Sequence, residues 1–183
     1  MTVTSQRYRV RAVDPSTQTQ TQTQPDGESD HWSTGAWREG SPQGARHSVD
    51  IGTLRFEAGG ALPQVRIAYE TWGTLNQAHD NAIMVEHALT GDSHVSGPAG
   101  AGHPTPGWWE GLIGPGDPLD TDSWFVVASN VIGGCQGTTG PSSRAPDGRP
   151  WGSRFPFVTV RDQVAAEAAL ADRMVISALA AVL

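Results

Sequence analysis

Lysine is missing from this chain: all twelve basic residues are arginine, set against nineteen acidic ones, for a formal net charge of −7. A phosphate loop of the form Gly-x4-Gly-Lys-Ser/Thr is therefore excluded. Scattered arginines on an acidic chain also supply no basic stripe for a nucleic-acid backbone to follow. Cysteine occurs once, so no internal disulfide can form. No apolar run approaches the roughly 18 residues of a membrane-spanning helix. The opening stretch, "MTVTSQRYRVRAVDPSTQTQ", has no apolar core of a secretory signal. Together these absences make the cytoplasm the expected location, with neither membrane nor nucleic acid as partner.

What is present is enough for one folded domain: 183 residues, 37% of them apolar. The chain divides near residue 48. Before that point, "STQTQTQTQPDGESD" and its neighbours hold hardly an aliphatic side chain and cannot bury enough apolar area to offset the entropy of ordering. Residues 1–47 are therefore expected to form a disordered, Thr/Gln-rich tail, and residues 48–183 the domain.

Within the domain, "IGTLRFEAGG" and "LPQVRIAYETWG" alternate apolar and polar residues around Gly59 and Gly60, with Val65, Ile67 and Tyr69 on one face. This is the pattern of an antiparallel hairpin, with strands near 50–57 and 64–72. "NAIMVEHAL" and "SWFVVASNVI" are instead short, nearly continuous apolar runs, as in parallel strands covered on both faces. They predict strands near 81–88 and 124–131. The Gly/Pro-rich connection between them, 90–122, is expected to hold a short helix around Trp108, Trp109 and Glu110, with these tryptophans and Trp124 packing the loop onto the sheet.

"TVRDQVAAEAALADRM" reads as a helix over 160–174. Thr159 and Asp162 have capping-box spacing, with Asp in place of the usual Glu. Val160, Val164, Ala168, Ala171 and Met174 recur at helical spacing and are expected to form its buried stripe, with Glu167 marking its wet border. A last buried strand is expected over 177–183. The order of hairpin, strand, loop, strand, helix and strand defines an α/β protein with a mixed sheet. In open α/β sheets ligands sit beyond the carboxyl ends of the strands.

Gly133-x-Cys135-x-Gly137 has the spacing of a nucleophile elbow, with sulfur in place of oxygen. An elbow also needs a helix directly after the nucleophile, whose N-terminus stabilises the developing anion. After Cys135 the chain runs "QGTTGPSSRAPDGRP", too rich in Gly and Pro to begin one. The context rejects Cys135 as nucleophile. His87, Asp92, His94, His103 and Cys135 have metal-binding side chains, but the six residues between His87 and His94 fit neither a zinc-helix pair nor a Cys-x2-Cys knuckle. Structural roles are expected: His87 bonding backbone at a strand end, His94 and His103 ordering the long loop.

"YETWGTLN", "HALTGDSHVSGPAGAGHPTPGWWEGLIGPGDPLDT", "NVIGGCQGTTGPSS", "PWGSRFP" and "VRDQV" occur in this order. On these motifs the region 49–183 resembles the N-terminal half of homoserine O-acetyltransferase, an α/β-hydrolase-fold enzyme of methionine biosynthesis. The resemblance implies an acyltransferase that moves an acetyl group from acetyl-CoA to the hydroxyl of L-homoserine through an acyl-serine. Acetyl-CoA is then a co-substrate, no cofactor is bound, and the complete enzyme is a homodimer. A related reaction of the same fold, with succinyl-CoA or another acceptor, and a non-catalytic binding module are the alternatives. The family's catalytic serine comes after a strand like "AAVL", so none of its Ser-Asp-His triad is expected before Leu183; the sequence reads as truncated before the elbow and inactive alone. Within these residues the resemblance points to the oxyanion hole. The loop after the third strand supplies one backbone N–H donor, with Leu89 and Thr90 as candidates, Gly91 admitting the substrate, and Asn130 beneath the site.

Overall fold

A computed structural model of the chain describes residues 37–183. Most of the expected tail, 1–36, lies outside the described residues. Its last part, however, is tied to the domain. The Trp37 amide donates to the Cys135 carbonyl at 2.8 Å, the Arg66 guanidinium lies 5.3 Å from the Trp37 ring centre, and Arg46 is buried. Composition alone could not anticipate this, because single residues such as Trp37 and Arg46 form the attachment.

Five strands build the main sheet: β1 (His47–Arg55), β2 (Ala61–Trp72), β3 (Ala82–Val85), β6 (Phe125–Ser129) and β7 (Leu179–Val182). Their order across the sheet is β1-β2-β6-β3-β7. β1 and β2 form the expected antiparallel hairpin, from His47 opposite Tyr69 to Arg55 opposite Ala61. Its turn is closed by hydrogen bonds between Phe56 and the Gly59-Gly60 pair, both glycines at positive φ where a side chain would be strained. β3 runs parallel to both β6 and β7. Every residue of β3 and β6 is buried, which is why Ala82–Val85 and 125–128 are apolar at each position and not at alternate ones, with Ser129 ending β6.

The two faces carry different covers. On one, Leu62, Val65 and Ile67 of β2 pack with Ala166 and Leu170 of the helix α1 (Val160–Arg173). On the other, Ile83, Val85, Val126 and Ala128 pack beneath Val95, Ile113 and Trp109 of the long connection. That connection contains a two-residue parallel ladder, β4 (Ile113–Gly114) with β5 (Leu119–Asp120), which no periodicity announces. The helix expected around Trp108–Glu110 is a hydrogen-bonded turn instead, with the Leu112 amide reaching the Trp109 carbonyl at 3.1 Å. Gly107 and Gly111 flank it, and two glycines so close leave too few residues for a helical nucleus. Trp109 packs on the sheet as expected, whereas Trp108 and Trp124 remain partly exposed.

α1 begins as the sequence indicates. Thr159 accepts a hydrogen bond from the Asp162 amide, and Asp162 accepts one from the Thr159 amide at 2.8 Å, completing the capping box. The expected apolar stripe is corrected, however: Val160 is 74% exposed, and Asp162, Ala166 and Leu170 face the sheet. Asp162 sets this register. Its second oxygen takes the Glu57 amide at 2.8 Å, fastening the first turn to the β1–β2 hairpin and turning Val160 and Val164 outward.

Two expectations arise from these contacts. Thr159→Ala should lower stability by about 1 kcal/mol in chemical denaturation, the usual loss for an N-cap oxygen. β7 forms one edge of the sheet with Leu179 and Val182 exposed, and such edges pair with other chains. A polypeptide of residues 1–183 should show concentration-dependent association in sedimentation, and Ala180→Lys should reduce it while lowering stability. A strictly monomeric sample with a sharp thermal transition would contradict the second expectation.

Candidate functional site

At the carboxyl ends of β3 and β6 the chain leaves an open cleft of about 590 Å³. One wall is apolar, formed by Ile132, Phe155, Phe157 and Val158; the other is the turn after β3 with the glycine-rich segment after β6. His87 joins these two strand ends. Its Nε2 accepts from the Val131 amide at 3.3 Å, so the ring proton sits on Nδ1, which donates to the Ala88 carbonyl at 2.8 Å. This is the backbone-bonding role expected of it.

Of the four residues assigned to the oxyanion and substrate site, Leu89, Gly91 and Asn130 line the cleft, and Thr90 is exposed beside them. The Gly91 amide is occupied, donating to the Ala88 carbonyl at 2.8 Å. The amides of Leu89 and Thr90 have no hydrogen-bond partner among the described residues, and the Leu89 side chain is fully exposed. Two unengaged N–H groups at a cleft rim are what an oxyanion donor requires. Asn130 is different. Its Oδ1 accepts the Ser93 amide at 2.8 Å, and its Nδ2 donates to Ser93 Oγ and the Gln136 carbonyl, so its side chain braces the loop from below.

Cys135 is exposed in the cleft wall, and no helix begins directly after it; α1 starts only at Val160. The segment after Cys135 serves the sheet instead. Thr138 Oγ1 and Thr139 Oγ1 accept the amides of Ala68 and Arg66, each at 2.9 Å, and the Thr139 amide donates to the Arg66 carbonyl. Close folding makes Gly140 obligatory, since a Cβ there would overlap the Gly134 carbonyl.

Beneath the loop lies a buried polar cluster. Glu70 of β2 accepts from Ser93 Oγ through Oε1 and from His94 Nδ1 through Oε2, both at 3.0 Å. The His103 ring stacks on His94 with centres 3.8 Å apart and planes 15° from parallel. The Ala45 amide donates to His103 Nε2 at 3.0 Å, which places that ring's proton on Nδ1. Burial holds the His103 pKa below its ordinary value, against the opposing pull of Glu70. Arg46 closes the cluster, donating to the Gly102 carbonyl at 2.9 Å and to Gln136 Oε1 at 3.1 Å.

Among the described residues, Glu70, His94 and His103 are the group whose chemistry could hold a metal, their ligand atoms lying within 4.8 Å of one another. The geometry suits hydrogen bonding better. The His103 Nε2 lone pair is already used by the Ala45 amide, and nearly parallel stacked rings direct their in-plane lone pairs alongside each other, not toward one point. The metal-binding residues considered in the sequence are thus dispersed: His94 and His103 meet, while His87 and Cys135 belong to the cleft. Glu70 was missed. It stands in an alternating strand where a carboxylate reads as solvent-facing, and only the loop folding over that face buries it.

No family model matches the chain. A homoserine O-acetyltransferase of Thermobifida fusca (strain YX) is 66% identical over 152 residues, covering 82% of this chain and 40% of that protein. Another, from Nocardia farcinica (strain IFM 10152), is 56% identical over 150 residues, with 82% and 39% covered. The chain resembles the N-terminal part of homoserine O-acetyltransferase. It spans about 40% of the length of such relatives. Among solved structures, homoserine O-acetyltransferase from Bacillus anthracis has a TM-score of 0.67 at 33% identity, over 75% of this chain and 38% of that one. An acetylester hydrolase from Corynebacterium glutamicum has a TM-score of 0.59 at 30% identity, over 72% and 34%. The sheet order, parallel core and covering helix are those of part of an α/β-hydrolase domain.

On α1, Glu167, expected at a wet border, is instead largely withdrawn from water next to Glu86, the residue after β3, and burial followed by the Glu86 charge raises its pKa to about 8. In the unfolded chain the group ionises near 4.5, so between these values the folded state binds the extra proton. Its contribution to stability is complete below the lower value and is lost as pH rises through the upper. Glu167→Gln should therefore be more stable than the parent at about pH 9 and nearly equal to it at about pH 5, read by denaturant titration. Equal losses for both proteins between these pH values would show that Glu167 does not carry the effect.

Proposed function

We propose that these residues form the oxyanion-loop half of a homoserine O-acetyltransferase catalytic domain. In this reading the serine, aspartate and histidine come from sequence beyond Leu183. The serine hydroxyl attacks the acetyl-CoA carbonyl and passes its proton to the histidine. The thiolate of CoA leaves and takes that proton; the hydroxyl of L-homoserine then attacks the acyl-serine carbonyl, its own proton passing to the histidine and from there to the departing serine oxygen. Negative charge develops on the carbonyl oxygen in both steps, and the free amides of Leu89 or Thr90 meet it. Gly91 leaves room for the acyl group, and Asn130 holds the turn from below. Acetyl-CoA is a co-substrate and not a resident cofactor. A cytoplasmic homodimer is the form proposed for the complete enzyme.

The observation that carries this reading is the 66% identity to the Thermobifida fusca relative across the segment that contains the two unengaged amides. Likeness to an acetylester hydrolase favours one second reading, in which water takes the place of homoserine as acceptor.

A chimera separates them. Residues 49–183 replace the matching segment of the Thermobifida fusca protein, and CoA release is measured with and without L-homoserine. Homoserine-dependent release within about tenfold of the parent, a barrier change of roughly 1.4 kcal/mol, is expected. Cys135→Ala should leave it unchanged. A folded chimera that releases no CoA would overturn the assignment, and release independent of homoserine would favour the hydrolase. Residues 1–183 alone should acetylate homoserine no faster than background.

A further inference from the structure

Glu70 is 2% exposed, in a strand whose buried neighbours are aliphatic. A buried carboxylate is costly unless its oxygens are satisfied, and an apolar side chain of similar volume would fill the space without that cost. Both oxygens of Glu70 are satisfied by the same short stretch of loop. Oε1 takes Ser93 Oγ and Oε2 takes His94 Nδ1. Ser93 is in turn clasped by Asn130, which accepts its amide and donates to its hydroxyl. The next residue back, Asp92, accepts the His94 amide through Oδ1 and the Trp108 indole through its carbonyl. The loop leaves β3, makes the turn that holds the free Leu89 and Thr90 amides, and is fastened at once to the strand beneath.

We propose that Glu70 is a positioning residue for the oxyanion turn. Its carboxylate fixes Ser93 and His94 and thereby holds the Leu89–Gly91 turn at the cleft. A leucine here would pack but would hold nothing; the Gly91 amide reaches only Ala88, within the turn itself, and the residues that follow are held besides only by Asn130 on Ser93 and by Trp108 and Arg46 on Asp92. The assignment rests on the acyl-transfer reading for its consequence in catalysis, but its structural content can be tested apart from it. An acceptor-only carboxylate requires that His94 carry its proton on Nδ1.

Nitrogen-15 labelling of histidine in the 183-residue chain should show His94 as the Nδ1–H tautomer. Glu70→Gln cannot accept from Ser93 and His94 together; with its oxygen toward Ser93, its NH2 group faces His94 Nδ1 and drives the ring to the Nε2–H tautomer. In Glu70→Leu, which packs but makes neither bond, hydrogen exchange at the Gly91 and Ser93 amides should quicken by about tenfold or more, while the core amides of β3 and β6 keep their protection. In the chimera, Glu70→Leu should lower kcat with little change in KM for homoserine, as loss of a donor's alignment in the transition state demands. An Nε2–H tautomer in the parent, unchanged exchange at Gly91 and Ser93, or unchanged kcat would each overturn the proposal. Should Glu70→Leu fail to fold, Ser93→Ala removes one of the two donors, and with it the acceptor of Asn130 Nδ2: exchange at Gly91 should quicken while the His94 tautomer stays, and unaltered exchange overturns it. A parent chimera without activity would remove the acyl-transfer reading, and the tautomer and exchange results would still decide the anchor.

Discussion

From Arg66 to Tyr69 the backbone of β2 is met along both edges, and the rest of the structure hangs on that constraint. One edge is paired with β1 from Ala61 to Tyr69. The other is shared between two partners: Tyr69–Trp72 pair with β6, and Arg66–Ala68 are met by Thr138, Thr139 and the amide of Asn130. A buried strand cannot leave N–H and C=O groups unpaired without a penalty comparable to a lost hydrogen bond each. Where β6 stops, something must therefore take over, and the threonine pair does so. The same strand then sends Glu70 up into the loop. The cleft's floor and one of its walls are thus referred to a single rigid element.

Much of this architecture was legible from residue order because the relevant signals are local. Period-two alternation marked β1 and β2, unbroken apolar runs marked β3 and β6, and Thr159 with Asp162 marked the start of α1. The helix's orientation was not legible, since the stripe containing Val160 and Val164 satisfies helical spacing as well as the one that is buried. The choice between them is made by a bond between Asp162 and the Glu57 amide, which is remote in sequence. A likeness to longer enzymes bears on the same residues, because α1 and β7 show apolar side chains that the described residues do not cover.

The candidate site divides in the same way. Leu89, Thr90 and Gly91 could be named because the family resemblance assigns an oxyanion donor to the loop after the third strand, and the end of that strand is visible in sequence. Asn130 could be named too, but as a residue near substrate; its hydrogen bonds make it a brace for Ser93. Glu70, His94 and His103 form one cluster drawn from β2 and from two separate parts of the long connection, and no spacing rule links them. Their burial is a product of the tertiary fold. Before the loop closes, each is an ordinary polar residue in an exposed context.

Using two hydroxyls where a strand would otherwise run has an architectural result. β6 has five residues and β2 has twelve. The chain is therefore released from the sheet early, and the segment from Gly140 to Val158 is free to line the cleft without being bound to strand geometry. Residues can be gained or lost there without unzipping the ladder, because the ladder has already been closed off upstream. The sheet is thereby insulated from the wall it supports, and the cleft can be reshaped while the scaffold keeps its register.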